Sequence, residues 1–538
     1  MTSVRPTEEV ESGRKAVNTE EESFNAFQLA TYIVCIMVRR QYSGWQYALG
    51  RGFGQFMIAE IFVSVAYLCF FFCISEIWSA IPFSGGGYGL SRAMLGFYPG
   101  YLVGCADMYS FVVHIADGAL FLSNSLCVFA QLPENATVGI FFALLMLAFV
   151  LSRRTKSKML RNCFMVIGFV TVAILLMWFF GALSFSNFVK NASLHKSPVA
   201  AAIPNWFDGG IKEFMTVIPY IAESYTGVRS FTLMTNYVSK PKVNIPRAVY
   251  VVLSVVVLNI CMAFVFAAQP GGILHTSKLL LPMSVGFGHM FKLDKVQADS
   301  LTAILTFPAS WANVISYLIP TGALLLSFGK TNLLPSFFCL NHNEQEQRGM
   351  LIASILAFLV CVVMQFSPGF NWLGLVVLMS AFSNVCILLC YISMKYNCET
   401  LERGFTNPTG LVGAVLTIFM FLFLGFASAI YMPGNIAAVV TFVAMMGVFS
   451  LYYYLYAASK QTLCAEEDKV FMMLHVSNYN RNRKKTKKVR NNKVWNFAFS
   501  SGSHSNTNTR TTGAAQMVKH SSGTPHAAAP ASPGAGPI

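Results

Sequence analysis

The sequence predicts an all-α polytopic membrane protein with about twelve transmembrane helices. Hydrophobic residues make up 55% of the 538 residues and charged residues only 11%, whereas soluble domains carry about 25% charged residues. Apolar runs of membrane-spanning length recur between polar breaks from Phe27 to Ala457. Lys and Arg concentrate in alternate connections between these runs, as the positive-inside rule predicts.

Each predicted span is an apolar run bounded by polar, Gly or Pro residues. In chain order the spans are Phe27–Leu49, Gln55–Ile81, Gly100–Ala130, Val138–Leu151, Cys163–Leu183, Phe214–Tyr237, Ala248–Ala268, Ala303–Phe328, Met350–Phe366, Trp372–Met394, Leu411–Tyr431 and Ile436–Ala457. The fourth run is short for a membrane helix. Together the runs predict a membrane domain over residues 27–459.

The basic connections predict the orientation in the membrane. The inner connections include Arg153–Arg161, whereas the short outer connections around Pro368 and Pro433 contain no Lys or Arg. The sequons at Asn135 and Asn191 fall in predicted outer loops, where glycosylation is expected. We therefore expect a multi-pass protein of the plasma membrane with both termini in the cytosol.

The two ends of the chain are polar and are expected to be disordered in the cytosol. Residues 1–26 contain no apolar core of a cleavable signal peptide, so the first span is expected to direct insertion. Residues 460–538 carry the basic run Arg481–Arg490. This run is expected either to bind anionic lipid at the inner leaflet or to be a solvated flank of the last span. Nucleic-acid binding is not expected beside membrane spans.

The first span contains two adjacent arginines, Arg39 and Arg40. An arginine at the centre of a membrane helix costs roughly 2.5–3.5 kcal/mol on insertion scales, so a pair persists only if other groups hold it. Ser43-Gly44 follows and is a weak point for a continuous helix. The sixth span repeats this combination of charge and glycine from Glu223 to Arg229. The sequence therefore predicts two broken helices around a central polar site.

The candidate binding residues come from these two breaks and combine cations, an acid, hydroxyl groups, aromatic rings and glycines. In the first span they are Arg39, Arg40, Gln41, Tyr42, Ser43, Gly44 and Trp45, and in the sixth span they are Glu223, Tyr225, Thr226, Gly227 and Arg229. The aromatic members are expected either to shape the pocket or to pack.

A polar stripe crosses the third span. Spacings of 3, 4 and 3 residues place its members on one helical face, and they are Asp107, Ser110, His114 and Asp117. Together with Glu60 of the second span, they are expected either to relay protons or to form ion pairs with the arginines. Near the end of the second span, Glu76 is expected to pair with Arg92.

No motif supports catalysis or cofactor binding. The glycine-rich stretch Pro82–Gly89 lacks the dinucleotide and P-loop fingerprints, and Ser327–Lys330 matches S-x-x-K without its partner motifs. The 13 cysteines show no C-x-x-C spacing and are expected to pack as small apolar residues. We therefore expect neither an enzyme nor a metal or cofactor site.

Four motifs occur in an order and on sides that are typical of one family. They are Ser43-Gly44-Trp45, Ser75-Glu76 with Ile81–Gly89, Gly227 ahead of Pro241–Ala248, and Ser327–Phe338. They resemble the amino acid/polyamine/organocation (APC) superfamily of transporters, and most closely its ethanolamine-permease-like and amino acid permease branch. The resemblance implies a 5+5 inverted-repeat fold with repeats over about 27–183 and 214–394, discontinuous spans one and six, and two extra helices over 411–457.

The breaks depart from this resemblance in one respect. The ethanolamine-like branch has small and acidic residues at the first break, and the family often has an acid before the sixth-span glycine. This sequence has Arg39, Arg40 and Gln41 at the first break and Thr226 before the glycine. Arginine binds a carboxylate through two hydrogen bonds, so the site favours a substrate with a carboxylate over a bare cation.

We therefore predict a secondary active transporter of amino acids or related small organic amines, working by alternating access with proton coupling. One alternative is an ethanolamine or polyamine permease. Another, of a different class, is a non-transporting nutrient sensor or scaffold that retains the fold and signals through its basic tail.

Overall fold

The structure of the chain is a computed structural model. It describes residues 23–133, 136–153, 158–193, 206–207, 210–335, 345–367, 369–398, 401–464, 467–483 and 486. Asn135 and most of the run Arg481–Arg490 lie outside the described residues. The chain divides into two compact units, Met1–Arg481 and Asn482–Ile538. All features discussed below belong to the first unit.

Helices joined by short connections make up the described part of the chain. In chain order they are α1 (Ala26–Tyr42), α2 (Trp45–Leu49), α3 (Phe53–Ala80), α4 (Gly86–Leu95), α5 (Phe97–Ala130), α6 (Thr137–Ser152), α7 (Lys158–Leu183), α8 (Phe188–Asn191), α9 (Gly210–Thr226), a 3-10 helix (Val228–Tyr237), α10 (Pro241–Ala267), α11 (Ile273–Thr276), α12 (Ser284–Phe291), α13 (Lys295–Lys330), α14 (Gln345–Phe366), α15 (Trp372–Asn397), α16 (Gly410–Tyr431) and α17 (Asn435–Tyr452), which continues as helix to Lys460.

Nine of the described helices are long and apolar enough to cross a membrane, namely α3, α5, α7, α10, α13, α14, α15, α16 and α17. The other three predicted spans differ for visible reasons. Helix α6 has only 16 residues, and the first and sixth spans are interrupted by Ser43-Gly44 and by Gly227. The prediction of an all-α polytopic membrane protein with broken first and sixth spans is confirmed.

The two broken helices lie in the middle of the bundle. Helix α1 packs against α7, α10 and α13, and α9 packs against α3, α15 and α16. In α13, 89% of the apolar window is buried inside the protein, whereas in α17 the share is 11%. Because lipid is as apolar as these side chains, the exposed apolar surface of α17 is what a lipid-facing helix shows.

The described residues just before α1 bind the backbone at the end of the sixth span. The Phe24 N–H donates to the Tyr237 carbonyl (2.6 Å), and the Ser239 N–H donates to the Phe24 carbonyl (2.9 Å). These bonds form a parallel bridge between Phe24 and Val238, which ties the start of the first span to the end of the sixth. This is the end that the basic connections predict to be cytosolic.

The expected pair of Glu76 with Arg92 is wrong. Glu76 instead pairs with Lys395 Nζ at 2.5 Å and with Arg403 Nη1 at 2.7 Å. Arg92 belongs to α4, and its Nε lies 3.5 Å from Glu467 Oε1. Glu76 and Arg92 lie on different helices, α3 and α4, and the partners of both come from distant parts of the chain.

The C-terminal segment corrects the expectation that residues 460–538 are disordered throughout, because residues 467–481 are helical. Buried residues recur along one face of this helix at spacings of 3, 4 and 3, and they are Glu467, Val470, Leu474 and Ser477. The sequence did not predict this buried face, because the tail is polar overall and the burial of these residues depends on the surface against which the helix docks.

Candidate functional site

The first break is a glycine turn. Helix α1 ends at Tyr42, Ser43 is extended (φ −163°), and Gly44 adopts φ +115°, which a residue with a side chain reaches only with strain. A Cβ on Gly44 would lie 2.7 Å from Nη1 of Arg40, so the missing side chain also makes room for that guanidinium. The Gly44 N–H donates to the side-chain oxygen of Gln46 (2.6 Å), which satisfies an amide freed by the break.

The second break lies between α9 and the 3-10 helix. A side chain on Gly227 would collide with the Tyr317 ring of α13, so the glycine permits a close approach of these elements. The carbonyl of Thr226, freed by the break, accepts from Nη1 of Arg229 (3.2 Å) and from the Ser380 hydroxyl (3.3 Å). The interruption is thus satisfied by polar side chains from within the bundle.

An ion network joins the two breaks to the polar stripe of α5. Asp117 binds Nη1 of Arg39 at 2.9 Å and Nη2 of Arg40 at 3.4 Å. Arg40 also pairs with Glu223 of α9. Nδ1 of His114 lies 3.6 Å from the same Glu223 oxygen. The network therefore connects α1, α5 and α9 through alternating positive and negative groups.

A second ion pair lies apart from this network. Arg229 donates through Nε to Asp107 Oδ1 (3.0 Å), and its Nη1 donates to the Ser380 hydroxyl (2.7 Å) and to Asn384 Oδ1 (2.8 Å). The Ser383 hydroxyl donates to the same Asp107 oxygen (2.6 Å). All these side chains are buried. The dense set of bonds holds Arg229 rigidly between α5 and α15.

Glu60 of α3 belongs to a third polar cluster, which it forms with residues of α9 and α10. Its Oε1 accepts a hydrogen bond from the Tyr225 hydroxyl (2.7 Å) and one from the Ser64 hydroxyl (3.4 Å). Nδ2 of Asn259 donates to the Tyr225 oxygen (3.2 Å). The structure thus separates Glu60 from Asp107, His114 and Asp117, with which the sequence grouped it.

A cavity of about 250 Å³ lies against the first ion network. Its polar lining includes Arg40, His114, Asp117, Glu223 and Asn371. Phe370 and Asn371 precede α15 and Met432 follows α16, so two connections predicted to face outward also line the cavity. The volume is slightly below the range of about 300–1,000 Å³ that is typical of drug-sized sites, which fits a smaller molecule.

Several predicted binding residues point away from this cavity. The Tyr42 hydroxyl donates to a backbone carbonyl of α7, and the Trp45 ring stacks on Phe266 of α10 at 3.8 Å between centroids. The Ser43 hydroxyl lies 3.5 Å from a carbonyl between α11 and α12. Gln41 lines a smaller cavity beside Glu60. These residues hold the break in place.

Of the two asparagines predicted to be glycosylated, Asn191 lies in the described part of the chain and Asn135 does not. Asn191 ends α8, and its Nδ2 donates to the carbonyl that follows α10 (2.9 Å). Asn135 lies outside the described residues. Glycosylation of both stays a prediction.

Three polar residues of α15, together with Tyr317 and Asn371, were not predicted from the sequence. The residues of α15 are Ser380, Ser383 and Asn384, whose spacing of 3 and 1 places them on one face of an apolar span. The rule that identified the stripe of α5 applies here and would have found them. Tyr317, which stacks on His114 at 4.8 Å between ring centroids, and Asn371 carry no comparable signal.

Two discontinuous helices that meet at a polar cavity inside a bundle of membrane-spanning helices define a class of protein, a membrane transporter for a small solute. The sequence profile of the family described as "Amino acid permease" matches residues 27–452. The chain belongs to the amino acid permease family. This confirms the resemblance to the APC superfamily and indicates a transporter rather than an enzyme, whereas the ethanolamine-like branch stays a prediction. No curated protein sequence matches the chain.

Proposed function

We propose that this protein is a proton-coupled secondary transporter that moves amino acids by alternating access. The observation that carries the proposal is the ion pair between Arg40 and Glu223, whose members come from the two helix breaks and both line the central cavity. In this proposal it resides in the plasma membrane with both termini in the cytosol.

The charges around the breaks favour a zwitterionic substrate. Three cations (Arg39, Arg40, Arg229) and three acids (Asp107, Asp117, Glu223) balance one another. A zwitterion that separates Arg40 from Glu223 places its carboxylate against the guanidinium and its ammonium against the acid, so every charge keeps a partner. A bare amine that binds Glu223 would leave Arg40 with only Asp117, which Arg39 also binds, so the buried site would carry an excess positive charge, which is strongly unfavourable.

The ends of the bundle support an outward-facing state. The bridge between Phe24 and Val238 joins the first and sixth spans at the end predicted to be cytosolic, while the cavity is bordered by connections predicted to be outside. Release into the cytosol then requires this bridge to open as one part of the bundle rocks against the other. Because Phe24 lies two residues before the start of α1 at Ala26, opening the bridge moves the first broken helix.

Uptake by purified protein in liposomes tests the proposal. The panel contains neutral, acidic and basic amino acids, ethanolamine and a polyamine, each with and without an inward proton gradient. We expect saturable, gradient-driven accumulation of amino acids and little of the amines that lack a carboxylate. A preference for ethanolamine or polyamine contradicts the role of Arg40, and saturable binding without any uptake favours the sensor instead.

A further inference from the structure

Most carboxylates of the central helices pair with an arginine or a lysine. Helices α3, α5 and α9 carry Glu60, Glu76, Asp107, Asp117, Glu213 and Glu223. Five of these carboxylates form an ion pair with an arginine or a lysine. Of these six carboxylates, Glu60 is the one to which no described residue contributes a cation.

The surroundings of Glu60 supply only neutral hydrogen-bond donors. The side chain is buried, with 6% of its surface exposed. From α9 it meets the Tyr225 hydroxyl, from its own helix Ser64, and from α10 Asn259 stands behind Tyr225. Tyr67, one turn beyond Ser64, stacks on the Tyr225 ring. Arg40 of α1 lines the same small cavity as Glu60 but is already engaged by Glu223.

An ionised carboxylate in such a place is strongly disfavoured. Burying a charge without a counter-ion costs far more than burying the neutral acid, and two neutral hydroxyl donors offset only part of that cost. A carboxyl group that is buried in a membrane protein without a counter-ion is therefore expected to keep its proton and to be neutral. The contacts thus describe a protonated Glu60 in the conformation seen here.

A cavity of about 20 Å³ links Glu60 to the central site. Its polar lining includes Arg40, Gln41, Glu60, Ser224 and Asn259. This is about the space that one water molecule needs. Arg40 also lines the larger cavity of about 250 Å³. Arg40 and Tyr220 line both cavities, and Arg40 is the charged member of this pair.

We propose that Glu60 binds the coupling proton and that its ionised form withdraws Arg40 from the substrate site. When the O–H bond of Glu60 breaks, the proton passes to water in the small cavity and from there to solvent. The carboxylate then attracts the Arg40 guanidinium, which is no longer free to hold a substrate carboxylate. Protonation reverses this step, so proton and substrate bind together, and each raises the affinity for the other by the same factor. This inference rests on the proposed transport function.

The first test compares Glu60→Gln with the wild type in liposomes. The amide keeps an acceptor for Tyr225 but carries no charge, so it mimics the protonated acid at every pH. We expect gradient-driven accumulation to be lost, exchange of labelled for unlabelled amino acid to persist, and the pH dependence of substrate binding, on the order of tenfold in the wild type, to disappear. Gradient-driven accumulation at the wild-type level in this variant overturns the proposal.

Two variants serve as controls. Glu213→Gln removes a carboxylate from α9 that is partly exposed and paired with Arg51 at 3.2 Å, and it is expected to retain gradient-driven accumulation. Glu60→Asp keeps a titratable group and is expected to retain coupling with a shifted pH profile. Loss of coupling in Glu213→Gln to the same extent as in Glu60→Gln contradicts a specific role of Glu60.

A second measurement does not depend on transport. Infrared spectra of the purified protein near neutral pH should contain the C=O stretch of a protonated carboxylic acid, and Glu60→Gln should lack it. An unchanged spectrum overturns the protonation of Glu60. If the wild type transports no member of the panel, the proposed function fails, while loss of the band still supports a neutral Glu60.

Discussion

At the scale of single residues, Arg39 and Arg40 can lie inside a membrane protein because each guanidinium has a carboxylate partner. Both bind Asp117, and Arg40 also binds Glu223. Arg39 is in addition 5.0 Å from the centre of the Phe121 ring, which adds a cation–π contact. The arginine pair that the sequence shows as an insertion cost is thus balanced by acids on two other helices.

Arg40→Gln tests this balance. It leaves Glu223 buried without its arginine, so we expect a loss of about 3–5 kcal/mol in the free energy of unfolding and loss of amino acid binding. The double variant Arg40→Gln/Glu223→Gln removes both charges and should recover most of the stability but none of the binding. Thermal unfolding and equilibrium binding of purified protein measure the two effects. A double variant no more stable than the single one contradicts the ion pair.

At the scale of elements, each break depends on a glycine, and the two glycines act differently. Gly44 supplies a backbone angle of φ +115°, whereas Gly227 has an ordinary φ of −91° and supplies space beside Tyr317. The sequence predicted both breaks because a glycine beside charged residues inside an apolar run is a local feature. It did not predict that the sixth span continues as a 3-10 helix, since that geometry depends on the contacts of Arg229 with α5 and α15.

Gly44→Ala is expected to damage the site through the backbone. An alanine at φ +115° is strained by about 1–3 kcal/mol, and its Cβ displaces the Arg40 guanidinium. We expect lower thermal stability and at least a tenfold weaker binding of amino acids, on the scale of one lost charge-assisted contact of roughly 1.5–3 kcal/mol. Gly447→Ala in α17 is the matched control, because nothing lies within 4 Å of its added Cβ. Wild-type binding by Gly44→Ala would show that Arg40 does not bind the substrate.

At the scale of the whole molecule, a helix near the C-terminus docks on the bundle at α4. Residues 467–481 dock as a helix whose Glu467 meets Arg92 of α4, and both side chains are 1% exposed. Burial raises the pKa of the Glu467 carboxyl above its ordinary value, and the Arg92 charge opposes this only in part. Between the ordinary pKa near 4.5 and the raised one, the docked form therefore holds a proton that the undocked form has lost.

Docking of this helix should consequently weaken as the pH rises from the ordinary pKa of the carboxyl through the raised one. Glu467→Gln should remove this pH dependence, because the amide does not titrate. Docking is measured by the hydrogen-exchange protection of the backbone amides of residues 467–481 across that pH range. Tyr479→Phe, which alters an exposed and uncharged residue of the same helix, should behave as the wild type, and a wild-type pH dependence in Glu467→Gln would contradict the buried contact.

The sequence by itself determined the membrane class, the order of the spans, the two breaks and the residues that surround them. These features are local, since apolar length, helical spacing and glycine are read within a few residues. Membership of the family then follows from motifs carried by the same segments.

Only the tertiary structure decided which acid meets which arginine. Arg40 and Asp117 are 77 residues apart and Arg229 and Asp107 are 122 apart, so their pairing depends on how whole helices dock. The same docking leaves Glu60 without a cation among the described residues and places the C-terminal helix on Arg92. Helical periodicity specifies the face on which a side chain lies, but the partner that the side chain meets is set by the packing of distant helices.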